Sequence, residues 1–199
     1  SAGVSATDSS SKAASSATAP APNAAEIKAS VHLDVPFTSQ APYANWDALH
    51  QEACEEAALL MVQRYYKGGS LNQASAEDEL QRMVAWQTDH GYSYDVDMEE
   101  LLAIAREYYG LDGYIETEVT VEKMKELLSA GHPIIVPAAG RELGNPYFSG
   151  EGPWYHVLTI IGYDSRNFIT NDPVTRRGED YKYSYDTLLS AIHDWTGVK

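Results

Sequence analysis

The chain has one cysteine, Cys54, and it stands where a helix opens. From Glu52 onward, Cys54, Ala57, Ala58, Met61 and Tyr65 fall at offsets of 0, 3, 4, 7 and 11, one continuous helical face, and Gly68-Gly69 supplies the stop. A thiol at a helix start lies near unpaired amide hydrogens and the positive end of the helix dipole, which both favour the thiolate. One cysteine makes no internal disulfide and no multi-cysteine zinc site, so any chemistry at Cys54 needs side chains of other types. Without a base beside it, such a cysteine is a small buried hydrophobe.

His156 and Asp172 are the candidate partners. His156 begins the apolar, β-branched run Tyr155 to Tyr163, and Asp172 ends the run Asn167 to Asn171 that follows the turn-like Asp164-Ser165-Arg166. If the two runs form an antiparallel hairpin, the midpoint of 156 and 172 is position 164, on the turn. The two side chains are then opposite or nearly so, about 5 Å apart at their β-carbons if they share a face. A slip of one residue separates them. A carboxylate that holds one imidazole nitrogen leaves the other for a thiol, which is the arrangement of a cysteine peptidase.

Other chemistries are weaker. Asp95, Asp97, Glu99 and Glu100 resemble the start of a calcium loop, but no glycine stands at the sharp turn, and Asp97 with Glu100 reads better as a capping box. His32, His50, His90, His132 and His193 form no pair at ligand spacing, so we assign no metal, and the peptidase chemistry calls for no cofactor. With 14 Lys and Arg against 29 Asp and Glu, the formal net charge is −15, and the densest basic site is the pair Arg176 and Arg177. Nucleic acid is excluded as a partner on that ground. No apolar run approaches the roughly 20 residues of a membrane-spanning helix.

The elements that must position these residues can be read coarsely. Residues 1–30 are rich in Ser, Ala, Thr and Pro and cannot bury enough apolar surface to offset the entropy of ordering, so they read as a flexible tether. The tether lacks the apolar core of a signal peptide and suits an exported domain held at a cell surface, which sets extracellular or cell-surface as the expected location. Residues 31–199 fit one domain, expected to be a monomer. A short edge strand covers Val31 to Val35. Helices follow from Cys54, from about Ser75 to Trp86, from Asp97 to a stop at Gly110, and from about Thr120 to Ser129. Strands then run over Pro133 to Pro137, Tyr155 to Tyr163 and Asn167 to Asn171, and a last helix spans Asp186 to Trp195. Helices first and an antiparallel sheet afterwards describe a segregated α+β domain. The stretch from Ala138 to Tyr155, with four glycines, is long for a connection without periodicity, and is expected to wall the cleft and bring Tyr147, Phe148 or Trp154 to a substrate.

These motifs resemble a known family. Val35-Pro36-Phe37-Thr38-Ser39-Gln40, Trp46, Cys54 at a helix start, Gly131-His132-Pro133-Ile134-Ile135-Val136, His156 to Asp164 and Asn171-Asp172-Pro173 are together similar to the papain-fold cysteine peptidases of family thirty-nine, whose best-known members process bacteriocins after a double-glycine leader. Among them, the chain looks most similar to free-standing, often exported bacterial relatives. The resemblance implies a papain-like fold, a nucleophile helix packed on a C-terminal antiparallel sheet, and peptide or protein substrates. It also implies Cys54 as nucleophile, His156 as base and then acid, Asp172 as orienting carboxylate, Gln40 as oxyanion-hole donor and Trp46 at the substrate. Gln51 is the alternative donor, or else a helix-start hydrogen-bonding residue. The family usually follows its cysteine with glycine, whereas here Glu55 and Glu56 follow and Glu52 precedes. Three carboxylates oppose ionisation of a thiol and suit the first turn of a helix, and Glu55 is a candidate for binding a cationic substrate group. Two alternatives stand beside this reading: acyl transfer to an amine in place of hydrolysis, with the same three residues, and an inactive papain-like surface-binding module, favoured by the glutamates beside Cys54 and by the tether.

Overall fold

A computed structural model describes residues 26–196, in which helices precede a five-stranded antiparallel sheet. In chain order the elements are β1 (Val31–His32), α1 (Ala48–Gln51), α2 (Cys54–Lys67), α3 (Gln73–Asp89), α4 (Met98–Tyr109), α5 (Val121–Ser129), β2 (Ile134–Ala139), a 3-10 turn at Gly140–Leu143, β3 (Tyr155–Tyr163), β4 (Asn167–Asn171), β5 (Tyr181–Ser184) and α6 (Tyr185–Ala191). The architecture is the segregated α+β arrangement expected from the order of periodicities.

The Ala57-Ala58-Leu59-Leu60-Met61 run has high helix propensity, and carboxylates in the first turn of α2 with Arg64 and Lys67 in the last suit its dipole. Every residue from Cys54 to Gln63 is buried. Ala57, Leu59 and Leu60 pack against Leu80 and Met83 of α3 and Leu101 and Ile104 of α4. On the other side Cys54 and Ala58 meet Val157, and Met61 meets Ile161, both on β3. Enclosing a leucine this way stabilises by about 1.5–3 kcal/mol, so α2 is locked between the helices and the sheet. The helix stops where Gly68 takes φ 79° and its N–H donates to Arg64 O. Sequence signals for α4 also hold, with Asp97 and Glu100 exchanging capping-box hydrogen bonds and Gly110 closing the helix in the left-handed region.

The sheet is built around β3. One edge pairs with β2, from Ile134↔Ile160 to Ala139↔Tyr155, and then with β1 at Val31↔Tyr163; the other edge pairs with β4, which pairs with β5. Met124 and Leu128 of α5 and Leu188 of α6 cover Leu158 and Ile160, on the face away from α2. Helices on both faces explain why β3 reads as a continuous apolar run and not as an alternating one.

Several boundaries differ from expectation. The first strand ends at His32, because Val35 N–H turns back to Leu33 O. The last helix ends at Ala191, after which Ile192 bridges to Ala138 of β2. The α1 and β5 elements were not anticipated. Order also begins before Val31: Lys28 N–H donates to Ser129 Oγ, and Tyr163 OH donates to Lys28 O at 2.6 Å. The rest of the expected tether, residues 1–25, lies outside the described residues. Among the described residues no helix is long and apolar enough to cross a membrane.

Candidate active site

Three chain segments converge: the first turn of α2, the start of β3 and the residues just past β4. Cys54 opens α2, so its backbone N–H has no acceptor within the helix. Its Sγ donates to Glu55 Oε2 at 3.0 Å. Burial pushes the thiol well above its ordinary range, and the Glu55 carboxylate pushes it further, while the Val157 N–H pulls the other way. The expectation that the helix start favours a thiolate is therefore outweighed here, because desolvation and an adjacent carboxylate exceed a surface-scale dipole effect.

His156 is fully buried, and its Nε2 pairs with Asp172 Oδ1 at 2.8 Å. Donation from Nε2 leaves the lone pair of a neutral imidazole on Nδ1, and Nδ1 is buried without a hydrogen-bond partner. Asp172 is held from several sides. Val174 N–H donates to Oδ1 at 3.3 Å, Tyr183 OH to Oδ2 at 2.6 Å, and Asn145 Nδ2 to Oδ2 at 3.5 Å. Burial raises the Asp172 carboxyl, but His156 and then the Tyr183 hydroxyl outweigh it and hold the group below the usual carboxylate range.

The hairpin delivers this pair through a register other than the one expected. Thr159 faces Asn171 and Ile160 faces Thr170, and an irregularity between Ile160 and Gly162 shifts the pairing nearer the turn. Continued one step, that register sets Asp172 across from Leu158 and not from His156. The offset is two residues, an even number, so both side chains stay on one face and meet diagonally. Two glycines permit the close packing. A β-carbon on Gly178 would collide with the Asp172 carbonyl, and one on Gly140 would lie 2.6 Å from Pro153 and 3.1 Å from His156 Cβ.

Cys54 and His156 line one cleft of about 440 Å³, together with Gln40, Trp46, Phe148 and Trp154. Glu52 and Asp95 are its carboxylates. The connection from β2 to β3 does form a wall: Phe148 sets its ring edge-on to His156 at 5.7 Å, and Trp154, 58% exposed, lies under the Arg141 guanidinium at 3.7 Å. Tyr147, by contrast, is set back from the cleft, against Tyr181 and beneath Arg177.

Glu55 needs a correction. It is wholly buried, with Oε2 on the Cys54 thiol and Oε1 accepting from Val96 N–H at 3.3 Å, so it has no surface for a substrate. Burial, then the charge of Glu56, pushes the Glu55 carboxyl well above its ordinary range, and burial pushes Glu56 up to about 7. Gln40 lines the cleft, but its Nε2 donates to His50 O at 2.9 Å and Gln51 O at 3.2 Å, while its buried Oε1 has no partner. To donate to an oxyanion it has to release one of those carbonyls. Gln51 turns its amide back onto Trp46 O, the helix-start role.

The family model described as "Peptidase_C39 like family" matches residues 32–198. The chain belongs to this family. Its fold is similar to a crystal structure described as that of a C39-like peptidase from Bacillus anthracis, with a TM-score of 0.57 and 18% identity over 82% of this chain and 92% of that one. No curated protein matches. In this C39-like peptidase family member, the residues that sequence reasoning missed are Tyr183 and Asn145 on Asp172, while Asp95, singled out within the acidic run before α4, does line the cleft. Tyr183 alternates with Lys182 in a four-residue strand, a signal that was present but short. Asn145 carries no local signal, since its role comes from a contact 27 residues away.

Proposed function

We propose that the chain is a cysteine peptidase that hydrolyses peptide or isopeptide bonds at Cys54. The observation that carries this reading is the wholly buried His156–Asp172 pair, whose histidine lines the same cleft as Cys54 and keeps Nδ1 free of any hydrogen-bond partner. Nothing in that arrangement serves packing alone, because an unpartnered buried nitrogen costs about 1–3 kcal/mol.

In the proposed reaction Cys54 passes its proton to His156 Nδ1 and attacks the carbonyl carbon. The Cys54 backbone N–H and the Gln40 amide donate to the oxyanion, worth about 3–4 kcal/mol per donor in sites of this type. His156 then protonates the leaving amine, and a water activated by His156 opens the thioester. Asp172 stays ionised throughout and fixes the imidazole. Trp46, Phe148 and Trp154 flank the substrate chain, and Glu52 and Asp95 favour a cationic group in it. Export to the cell surface is part of the same proposal, resting on the composition of residues 1–30.

Matched peptide libraries test the reading. Wild type should release new termini from peptides with Lys or Arg near the scissile bond, several-fold faster than from acidic ones at low salt, and the advantage should fade as salt rises. Cys54→Ala should release none. Equal product from wild type and Cys54→Ala would overturn the peptidase reading, and equal cutting of both libraries at low salt would remove the carboxylates from substrate choice. Product joined to an added amine would assign the same residues to acyl transfer.

A further inference from the structure

The Cys54 thiol donates to Glu55 and has no hydrogen bond to His156, which lines the same cleft. Glu55 Oε2 accepts its hydrogen at 3.0 Å, while His156 Nδ1 is buried and unpartnered. The carboxylate is fixed in place, since Val96 N–H holds its second oxygen and Tyr155 OH donates to Val96 O at 2.9 Å. Resting on the peptidase reading above, we propose that Glu55 controls the nucleophile: as a carboxylate it keeps Cys54 as S–H, and as a carboxylic acid it donates its own O–H to the sulfur and allows the thiolate–imidazolium pair. The reactive form is then the one present while Glu55 is protonated.

Proton bookkeeping fixes the direction. In the acidic form Glu55 keeps its proton, and the proton leaving Cys54 goes to His156 Nδ1. When Glu55 ionises, the same transfer would leave a thiolate 3.0 Å from a carboxylate in a buried site, and the S–H···carboxylate hydrogen bond is the better arrangement. The surroundings reinforce this. Glu56 follows on the same helix, Asp95 approaches from the segment before α4, Asp172 lies beyond His156, and from β3 the facing groups are Tyr155 and His156. Among the described residues no Lys or Arg pairs with Glu55 or Glu56. Burial, and then the charge of Glu56, raises the Glu55 carboxyl well above its ordinary range.

Alkylation by iodoacetamide reads the thiolate without a peptide substrate: the sulfur attacks the methylene carbon, a C–S bond forms and iodide leaves. In folded wild type the rate should fall by about tenfold or more between pH 5 and pH 8, opposite to a free thiol, whose rate rises with its ionisation. In Glu55→Gln the amide donates to sulfur at every pH, so the rate at pH 8 should exceed wild type by about tenfold while the two agree within about twofold at pH 5. A wild-type rate that rises across this range, or Glu55→Gln and wild-type profiles that superimpose or differ by one constant factor, would overturn the inference. The wild-type profile stands even if the variant does not fold. Loss of the peptidase reading would show separately, as the expected alkylation profile without peptide turnover.

Discussion

Asp172 accepts from His156, Val174, Tyr183 and Asn145 while carrying no surface exposure, and that is how a buried carboxylate stays ionised beside an imidazole. Tyr183→Phe removes the 2.6 Å donor and keeps the ring, so it isolates one hydrogen bond. Bonds to a charged group contribute about 1.5–3 kcal/mol, so the Asp172 carboxyl should rise in the variant. Asp172 is depressed in the folded state, so its contribution to stability is present above its unfolded value and is lost as pH falls through the folded one. The variant should lose that contribution at a higher pH than wild type. Its activity profile should show the acid limb moved to higher pH, with kcat lowered about tenfold and KM unchanged. A superimposable profile would mean that Tyr183 only packs. At this scale Cys54, His156 and Asp172 were legible because type and spacing suffice to bring them forward. The opposition of Glu55 to thiol ionisation was legible too, but its burial was not, because the helical period of α2 says which side is apolar and is silent on the segment at Val96 that closes over the polar side. Only the folded structure turns that carboxylate from a surface group into a partner of the thiol.

At the scale of elements, the first turn of α2 pairs a dipole that welcomes Glu55 and Glu56 with a burial that does not. Glu56 Oε2 has no hydrogen-bond partner, and burial pushes the group up to about 7. A carboxyl raised in the folded state stabilises fully below its unfolded value near 4.5, and that stability is lost as pH rises through about 7. The melting temperature should therefore fall between pH 5 and pH 8. Glu56→Gln should reduce that fall by on the order of 5 °C, leaving the part due to Glu55, and an unchanged fall would show that Glu56 is solvated. Helix limits were readable where a stop or cap is local, as at Gly68, Asp97 and Gly110. Strand register was not, because the irregularity between Ile160 and Gly162 leaves no mark in composition. That irregularity is what makes the offset even and so leaves His156 and Asp172 on one face. The early end of α6 has a tertiary cause: Ile192 leaves the helix to bridge with Ala138, and helical periodicity cannot register that competition.

Across the whole molecule, the family's sheet and nucleophile helix are joined to a surface with a formal net charge of −15, and two of the carboxylates lie in the cleft. A field of that sign draws in cations over about 8 Å at physiological salt, which links the composition to the proposed substrate preference. The fold class was legible because helical and strand periodicities occur in separate halves of the chain, while the cleft was legible only in outline, since the Gly140 to Trp154 connection marks a wall without saying that Phe148 faces inward and Tyr147 does not. The central claim is that Cys54 is a nucleophile served by His156, and covalent labelling of the folded protein at pH 5.5 by a thiol-directed peptidyl probe tests it most directly. Wild type should take up one label at Cys54, Cys54→Ala none, and His156→Ala should label at least about 100-fold more slowly, the scale of a lost general base. Labelling at equal rates in wild type and His156→Ala, or labelling of Cys54 only after unfolding, would contradict the account.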